Sequence, residues 1–181
     1  MKNLLSYIWE LSKIVIIALI IVVPIRYLIF QPFFVKGQSM EPNFENGDYL
    51  IVDEISYHFR APRRGEVIVF KYPNDTSQRY IKRIIGLPGE TVTIENGKIA
   101  VFDQGGGKIL DESSYLPSSD FTPGNVRITL DENDYFVLGD NRPFSSDSRR
   151  WGPVPKKDIV GRVFLRAWPF AALAKVEVPS Y

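Results

Sequence analysis

A chain of 181 residues, 45% hydrophobic and 13% aromatic, has the material for one folded domain, or for one domain and an anchor. Its 22 basic residues against 21 acidic leave a net charge of +1, which argues against the basic surface of a nucleic-acid binder. With no cysteine and a single histidine, His58, disulfides, thiolate sites, cysteine nucleophiles and histidine-built zinc sites are excluded, and only an all-carboxylate metal site stays open. A serine hydrolase built on this chain must use either His58 or a group other than histidine as its base.

From Ile14 to Ile25 the chain is uncharged and almost wholly aliphatic, with Arg26 next. That run is too short to cross about 30 Å of hydrocarbon as a helix. Extension through Phe34, with Arg26 snorkelling to the surface, gives a span of adequate length. Tyr7, Trp9 and Tyr27 are suited to the two interfaces. No small-x-small site follows, so a retained anchor is expected rather than a cleaved leader. A buried core helix is the bland alternative, but the segment is apolar on every face. Lys2 and Lys13 lie before it, and Glu41, Glu45 and Asp48 beyond it. The expected organisation is therefore a cytoplasmic N-terminus at 1–13, a transmembrane helix at 14–34 and an extracytoplasmic domain at 35–181 in a cell membrane.

After residue 35 the pattern is one of strands. Tyr49–Val52, Val67–Tyr72, Tyr80–Ile85 and Thr91–Ile94 are each bounded by turn residues. Asn96-Gly97 reads as a two-residue hairpin turn into Lys98–Phe102. Residues 103–125, rich in Gly and Pro, look like an excursion with little core of its own. Strand character returns at Val126–Leu130, Tyr135–Leu138 and Ile159–Leu165. Short strands with frequent turns predict a mostly-β domain, an antiparallel sandwich or partly closed barrel. The apolar tail from Ala167 to Leu173 is too short to span a bilayer and is left to pack on the core or touch a membrane surface.

Two segments could carry chemistry. Ser39 lies between Gly37, which permits a left-handed turn, and Pro42, which restricts Glu41. A serine held so can have its hydroxyl aimed and its N–H left free, although most serines in this setting are turn residues. Lys82 sits among Tyr80, Ile81, Ile84 and Ile85, and alternation puts it on the face of Tyr80 and Ile84. It is either an outward-facing strand lysine or a lysine held among apolar groups. In the second case burial lowers its pKa, and a neutral amine could take a proton from a serine. The stretch Gly139–Gly152, dense in Asp, Asn, Ser and Arg, is either a hydrogen-bonded scaffold or a polar surface loop.

In order, Ser39-Met40-x-Pro42, Gly47-Asp48, Arg64–Phe70, Tyr80–Glu90 and Gly139-Asp140-Asn141-Arg142-x-x-Ser145-x-Asp147-Ser148-Arg149 resemble the successive boxes of type I signal peptidases. The resemblance runs from the anchor to about residue 165 and is closest to the compact, Gram-positive-type members. It implies a membrane-bound serine endopeptidase that removes signal peptides from exported preproteins, with no cofactor and no metal. By position it implies that Ser39 is the nucleophile and Lys82 the general base. Ser145 would orient the lysine, and Asp147 and Arg149 would form an ion pair beneath the site. Phe33, Val35, Phe44, Tyr80 and Ile81 would line small S1 and S3 pockets suited to an Ala-x-Ala site.

Two positions depart from that pattern. Some members carry a serine, an oxyanion donor, where this chain has Gly37. Oxyanion binding would then rest on the Ser39 N–H and a backbone or solvent donor. Asn43 replaces a common threonine. Three rival readings are another Ser-Lys peptidase, a non-enzymatic anchored β domain that binds an envelope partner, and a His58-dependent hydrolase.

Overall fold

The computed structural model describes residues 2–24, 30–117 and 121–181. Helix α1 runs from Lys2 to Pro24. Twelve strands follow: β1 Phe30–Phe34, β2 Tyr49–Asp53, β3 Val67–Tyr72, β4 Asp75–Gly86, β5 Thr91–Glu95, β6 Lys98–Asp103, β7 Gly106–Ile109, β8 Val126–Thr129, β9 Asp134–Leu138, β10 Val154–Pro155, β11 Ile159–Trp168 and β12 Ala174–Lys175. Two one-turn helices interrupt them, α2 at Ser56–Phe59 and α3 at Ser148–Trp151.

The expected 14–34 helix is corrected at its C-terminal end. Phe30–Phe34 is an edge strand, antiparallel to β2 with Phe33 opposite Leu50. Pro32 is tolerated because an edge strand leaves one row of amides unpaired. The uncharged part of α1 within the described chain, Ile14–Pro24, is only about 16 Å long at helical rise. Among the described residues no helix is long and apolar enough to cross a membrane. The expected interface placement of Arg26 and Tyr27 lies outside the described residues.

The mostly-β expectation holds. One sheet has the order β1-β2-β11-β3-β4-β9-β10 with β12 on β11, and a smaller one has the order β7-β6-β5-β8; every pairing is antiparallel. The large sheet is buried on both faces at its centre, which is why β3 reads as a continuous apolar run. Val67 and Val69 join a cluster with Met40, Phe44, Leu50 and Ile81, whereas Ile68 and Phe70 join Ile84, Tyr135 and Val137. The small sheet closes a third cluster, with Val92, Ile94 and Ile99 meeting Ile85, Phe136 and Leu138. At Gly86 a Cβ would lie 2.4 Å from Val92 and 2.9 Å from the Phe136 Cβ, so only glycine lets the sheets meet there.

The excursion at 103–125 is more structured than its composition suggests. It contributes β7, which pairs with β6, and the buried side chains Leu110 and Leu116. In the tail, Trp168, Phe170 and Leu173 are exposed, while Val176 and Tyr181 pack against the core.

Candidate active site

Three segments meet where the large sheet ends. β4 carries Lys82, β9 runs into Gly139 and Asp140, and the turn after β1 carries Ser39. Arg83 pairs with Leu138 in the β4–β9 register, so one further step brings Gly139 opposite Lys82. The Ser39 turn is fastened to this strand end. Asn141 N–H donates to the Ser39 carbonyl at 3.1 Å, and Asn141 Nδ2 donates to the Gln38 carbonyl at 3.0 Å. Gly37 adopts φ +89°, and its N–H donates to Asn46 Oδ1. The backbone can therefore reverse immediately before the serine.

Lys82 Nζ donates to Ser39 Oγ at 2.7 Å and to the Ile81 carbonyl at 2.8 Å. The lysine is only 3% exposed, lies across from Ile68 in the β3–β4 register, and sits 5.8 Å from the Tyr80 ring. Of the two sequence readings the buried lysine holds, on the face shared with Tyr80 and Ile84. Burial pushes its amine down to about 8 from an ordinary 10.5, against the opposing pull of the Asp147 and Asp140 carboxylates. At pH 7 about one such amine in ten is neutral, against one in a few thousand in water. A neutral amine within hydrogen-bond reach of a hydroxyl can accept its proton. The Ser39 N–H has no acceptor among the described residues, which leaves it able to donate to an oxyanion.

An open cleft of about 510 Å³ runs past this pair, lined by Phe33, Tyr80, Ile81, Phe34, Arg79 and Phe144 among others. Three of the five residues expected to line substrate pockets are therefore there. Val35 and Phe44, each 3% exposed, are not: they belong to the apolar cluster with Ile81 and support it from within. His58 is not on the cleft either. It is exposed on α2, with Nδ1 3.2 Å from the Glu54 carbonyl.

Beneath the pair, Asp147 and Arg149 form the expected ion pair at 2.7 Å, with Asp147 fully buried. Asp147 Oδ2 also accepts from Gly139 N–H at 3.1 Å, and Ser148 Oγ accepts from Val137 N–H at 3.0 Å, so this loop fixes the end of β9. Ser145 is buried too, but it makes no hydrogen bond to Lys82. Its Oγ has no hydrogen-bond partner among the described residues. Gly139 brings it close: a Cβ there would stand 2.2 Å from Ser145 Oγ and 2.3 Å from the Ser39 carbonyl oxygen.

The model of the family described as "Signal peptidase, peptidase S26" matches residues 8–168. The chain belongs to this family. It is an enzyme, a serine endopeptidase of the signal peptidase I type. The chain is 40% identical to the "Probable signal peptidase I-2" of Synechocystis sp. over 88% of this chain and 73% of that one. It is 37% identical to the signal peptidase I of Leptolyngbya laminosa, over 97% and 88% respectively. With the signal peptidase I of Bacillus caldolyticus the identity is 36%, over 87% and 90%.

Two buried ion pairs of this peptidase were not anticipated. Arg83 donates through Nε and Nη2 to both oxygens of Asp140, at 2.9 and 2.7 Å, with the arginine 3% exposed and the aspartate fully buried. Asn43 Nδ2 donates to the same carboxylate at 2.8 Å and to the Tyr115 carbonyl at 2.9 Å. Asn43 thereby ties the Ser39 turn to the scaffold through its amide. The second pair links Arg142, wholly buried, to Glu112 at 2.5 and 2.6 Å; Arg142 also donates to Thr122 Oγ1 and to the Gly139 carbonyl. Glu112 and Thr122 belong to the 103–125 excursion, which therefore braces the strand end that faces Lys82.

Removing one member of such a pair strands the other in the interior, typically at about 3–5 kcal/mol. Glu112→Ala should therefore lose about 3 kcal/mol of stability in a urea unfolding titration, read from a lower midpoint at unchanged slope. A loss below about 1 kcal/mol would mean that Arg142 finds solvent instead.

Proposed function

We propose that this peptidase removes signal peptides from exported preproteins after small-x-small sites, with Ser39 as nucleophile and Lys82 as general base. The reading is carried by one observation, the 2.7 Å contact between Ser39 Oγ and a buried Lys82 Nζ. Ser39 Oγ attacks the scissile carbonyl as its proton passes to the neutral Lys82 amine. The oxyanion draws on the Ser39 N–H. Collapse breaks the C–N bond, Lys82 returns the proton to the departing amine, and an ester on Ser39 remains. Lys82 then takes a proton from water. The hydroxide adds to the ester, the bond to Ser39 Oγ breaks to release the acid product, and Lys82 gives its proton back to Ser39 Oγ. The small-x-small preference rests on the resemblance and on the bulky Phe33, Tyr80 and Ile81 along the cleft.

Anchoring to the cell membrane belongs to the same proposal. On α1, Ile14, Ile17, Leu19 and Ile20 are each more than half exposed, an apolar face that water does not stabilise. The sequence continues apolar to Ile25, and Lys2 and Lys13 before it support a cytoplasmic N-terminus with the sheets outside. An enzyme and a substrate held in one bilayer meet at raised effective concentration.

The test is to incubate a preprotein bearing an Ala-x-Ala site with the full chain in lipid vesicles and to read the new N-terminus by mass spectrometry. Cleavage after the second alanine, absent with Ser39→Ala, is expected. An intact preprotein with wild type would overturn the reading and favour an anchored binding domain.

A further inference from the structure

The family match ends at residue 168. Residues beyond it nevertheless return to the scaffold of the site. Pro179 packs on Gly65, whose missing Cβ would lie 3.0 Å from the proline ring and 3.1 Å from the Tyr181 ring. Tyr181 Oη donates to Tyr115 Oη at 3.1 Å, the two rings meet edge to face at 6.1 Å, and the Lys108 ammonium donates to the Tyr181 carbonyl. Behind Tyr115 stands the Arg83 guanidinium, 4.1 Å from the ring centroid. Arg83 in turn holds both Asp140 and the Gly65 carbonyl. Tyr115 also accepts, through its carbonyl, from the Asn43 amide of the Ser39 turn. An open cavity of about 510 Å³ lies between the tail and these groups, with Asn43, Arg83 and Tyr115 on one wall and Ala171–Pro179 on the other.

We propose that the segment after β11 is a strap, and that Tyr181 is a positioning residue for the Ser39–Lys82 pair, acting through Tyr115 and the Arg83–Asp140 ion pair. The physical argument is one of dielectric and shape. A bidentate pair is rigid only while water is kept from it; the Tyr115 ring covers its guanidinium face, and Tyr181 packs edge to face on Tyr115. Admitting water there loosens Asp140 and Asn43, and with them the turn that presents Ser39. The reacting atoms would still be present, but held less closely, and small misplacements of reacting groups are costly in rate. Tyr181, Tyr115, Arg83, Asp140 and Asn43 do not line the cleft, so substrate binding should be spared.

The proposal rests on the peptidase reading above, and the experiment separates the two. Preprotein cleavage is measured with wild type, Tyr181→Ala and Tyr181→Phe, each below its own melting temperature and across pH. Tyr181→Ala should lower kcat about tenfold with KM within about twofold, and its base limb should move upward as Lys82 becomes wetter. Tyr181→Phe, which keeps the ring against Tyr115, should recover most of the rate. If Tyr181→Ala lowered the melting temperature but left kcat and the pH profile unchanged, the strap would be structural only and the proposal overturned. Equal losses in Tyr181→Ala and Tyr181→Phe would also contradict it. An inert wild type would overturn the peptidase reading and the strap's role with it.

Discussion

Lys82→Met is expected to lower kcat for preprotein cleavage by about 10²–10⁴-fold while leaving a folded enzyme. Methionine keeps the length and the apolar stem, so the β4 strand and its packing with Tyr80 survive; only the proton acceptor is lost. The same substitution should raise stability at neutral pH. Lys82 has a pKa of about 8 when folded and 10.5 as its ordinary value. Between those values the unfolded chain binds more protons than the folded one, so stability rises with pH across this window. Below about 8 both states are protonated, and the folded state bears the full cost of a buried ammonium, of order 3 kcal/mol. Lys82→Met removes that cost and loses the hydrogen bonds to Ser39 and Ile81, which leaves a net gain of about 1–3 kcal/mol at pH 7 that fades above pH 10. Chemical denaturation of both proteins at pH 7 and pH 10 checks it. A variant less stable than wild type at pH 7 would show that the lysine is not held at a cost.

Gly139→Ala carries the second large effect. The added methyl would stand 2.2 Å from Ser145 Oγ and 2.3 Å from the Ser39 carbonyl oxygen, and the second contact is backbone that cannot rotate away. Relief requires the Ser39 turn to lift off the end of β9, which stretches the Asn141 N–H bond to that same carbonyl. Displacement on this scale costs on the order of a hundredfold in rate. A fall in kcat of about 100-fold with little change in KM is therefore expected, alongside a stability loss of about 1–3 kcal/mol from overpacking. Steady-state kinetics on a preprotein, with a melting curve for each protein, measures both. Unchanged kcat would mean that the turn has slack.

Ser39, Lys82, Asp147 and Arg149 were legible through the resemblance of the boxes that carry them, not through local pattern. Local pattern left Lys82 either outward-facing or buried and the Gly139–Gly152 stretch either a scaffold or a surface loop; the structure buries Lys82 and pairs Asp147 with Arg149. What was missed is long-range. Arg83 and Asp140 are separated by 57 positions, and Arg142 and Glu112 by 30. Only the β4–β9 register and the fold of the excursion bring them together. The excursion looked weak because its glycines and prolines mark turns, whereas β7, the buried Leu110 and Leu116 and the Glu112–Arg142 pair fasten it to the domain. β1 was absorbed into the anchor because the apolar run had to be extended past Arg26 to Phe34 to reach a spanning length. Its strand character depends on pairing with β2, and no local pattern announces that pairing. Val35 and Phe44 were assigned to pocket walls by the resemblance, but their side chains turn into the core with Ile81.

The decisive measurement is the pH dependence of kcat/KM for preprotein cleavage, in wild type and His58→Ala. A buried Lys82 as base predicts a rise with an apparent pKa of about 8 in both proteins. A limb near 6.5 that disappears in His58→Ala, or one at or above 10.4, would contradict the Ser39–Lys82 assignment.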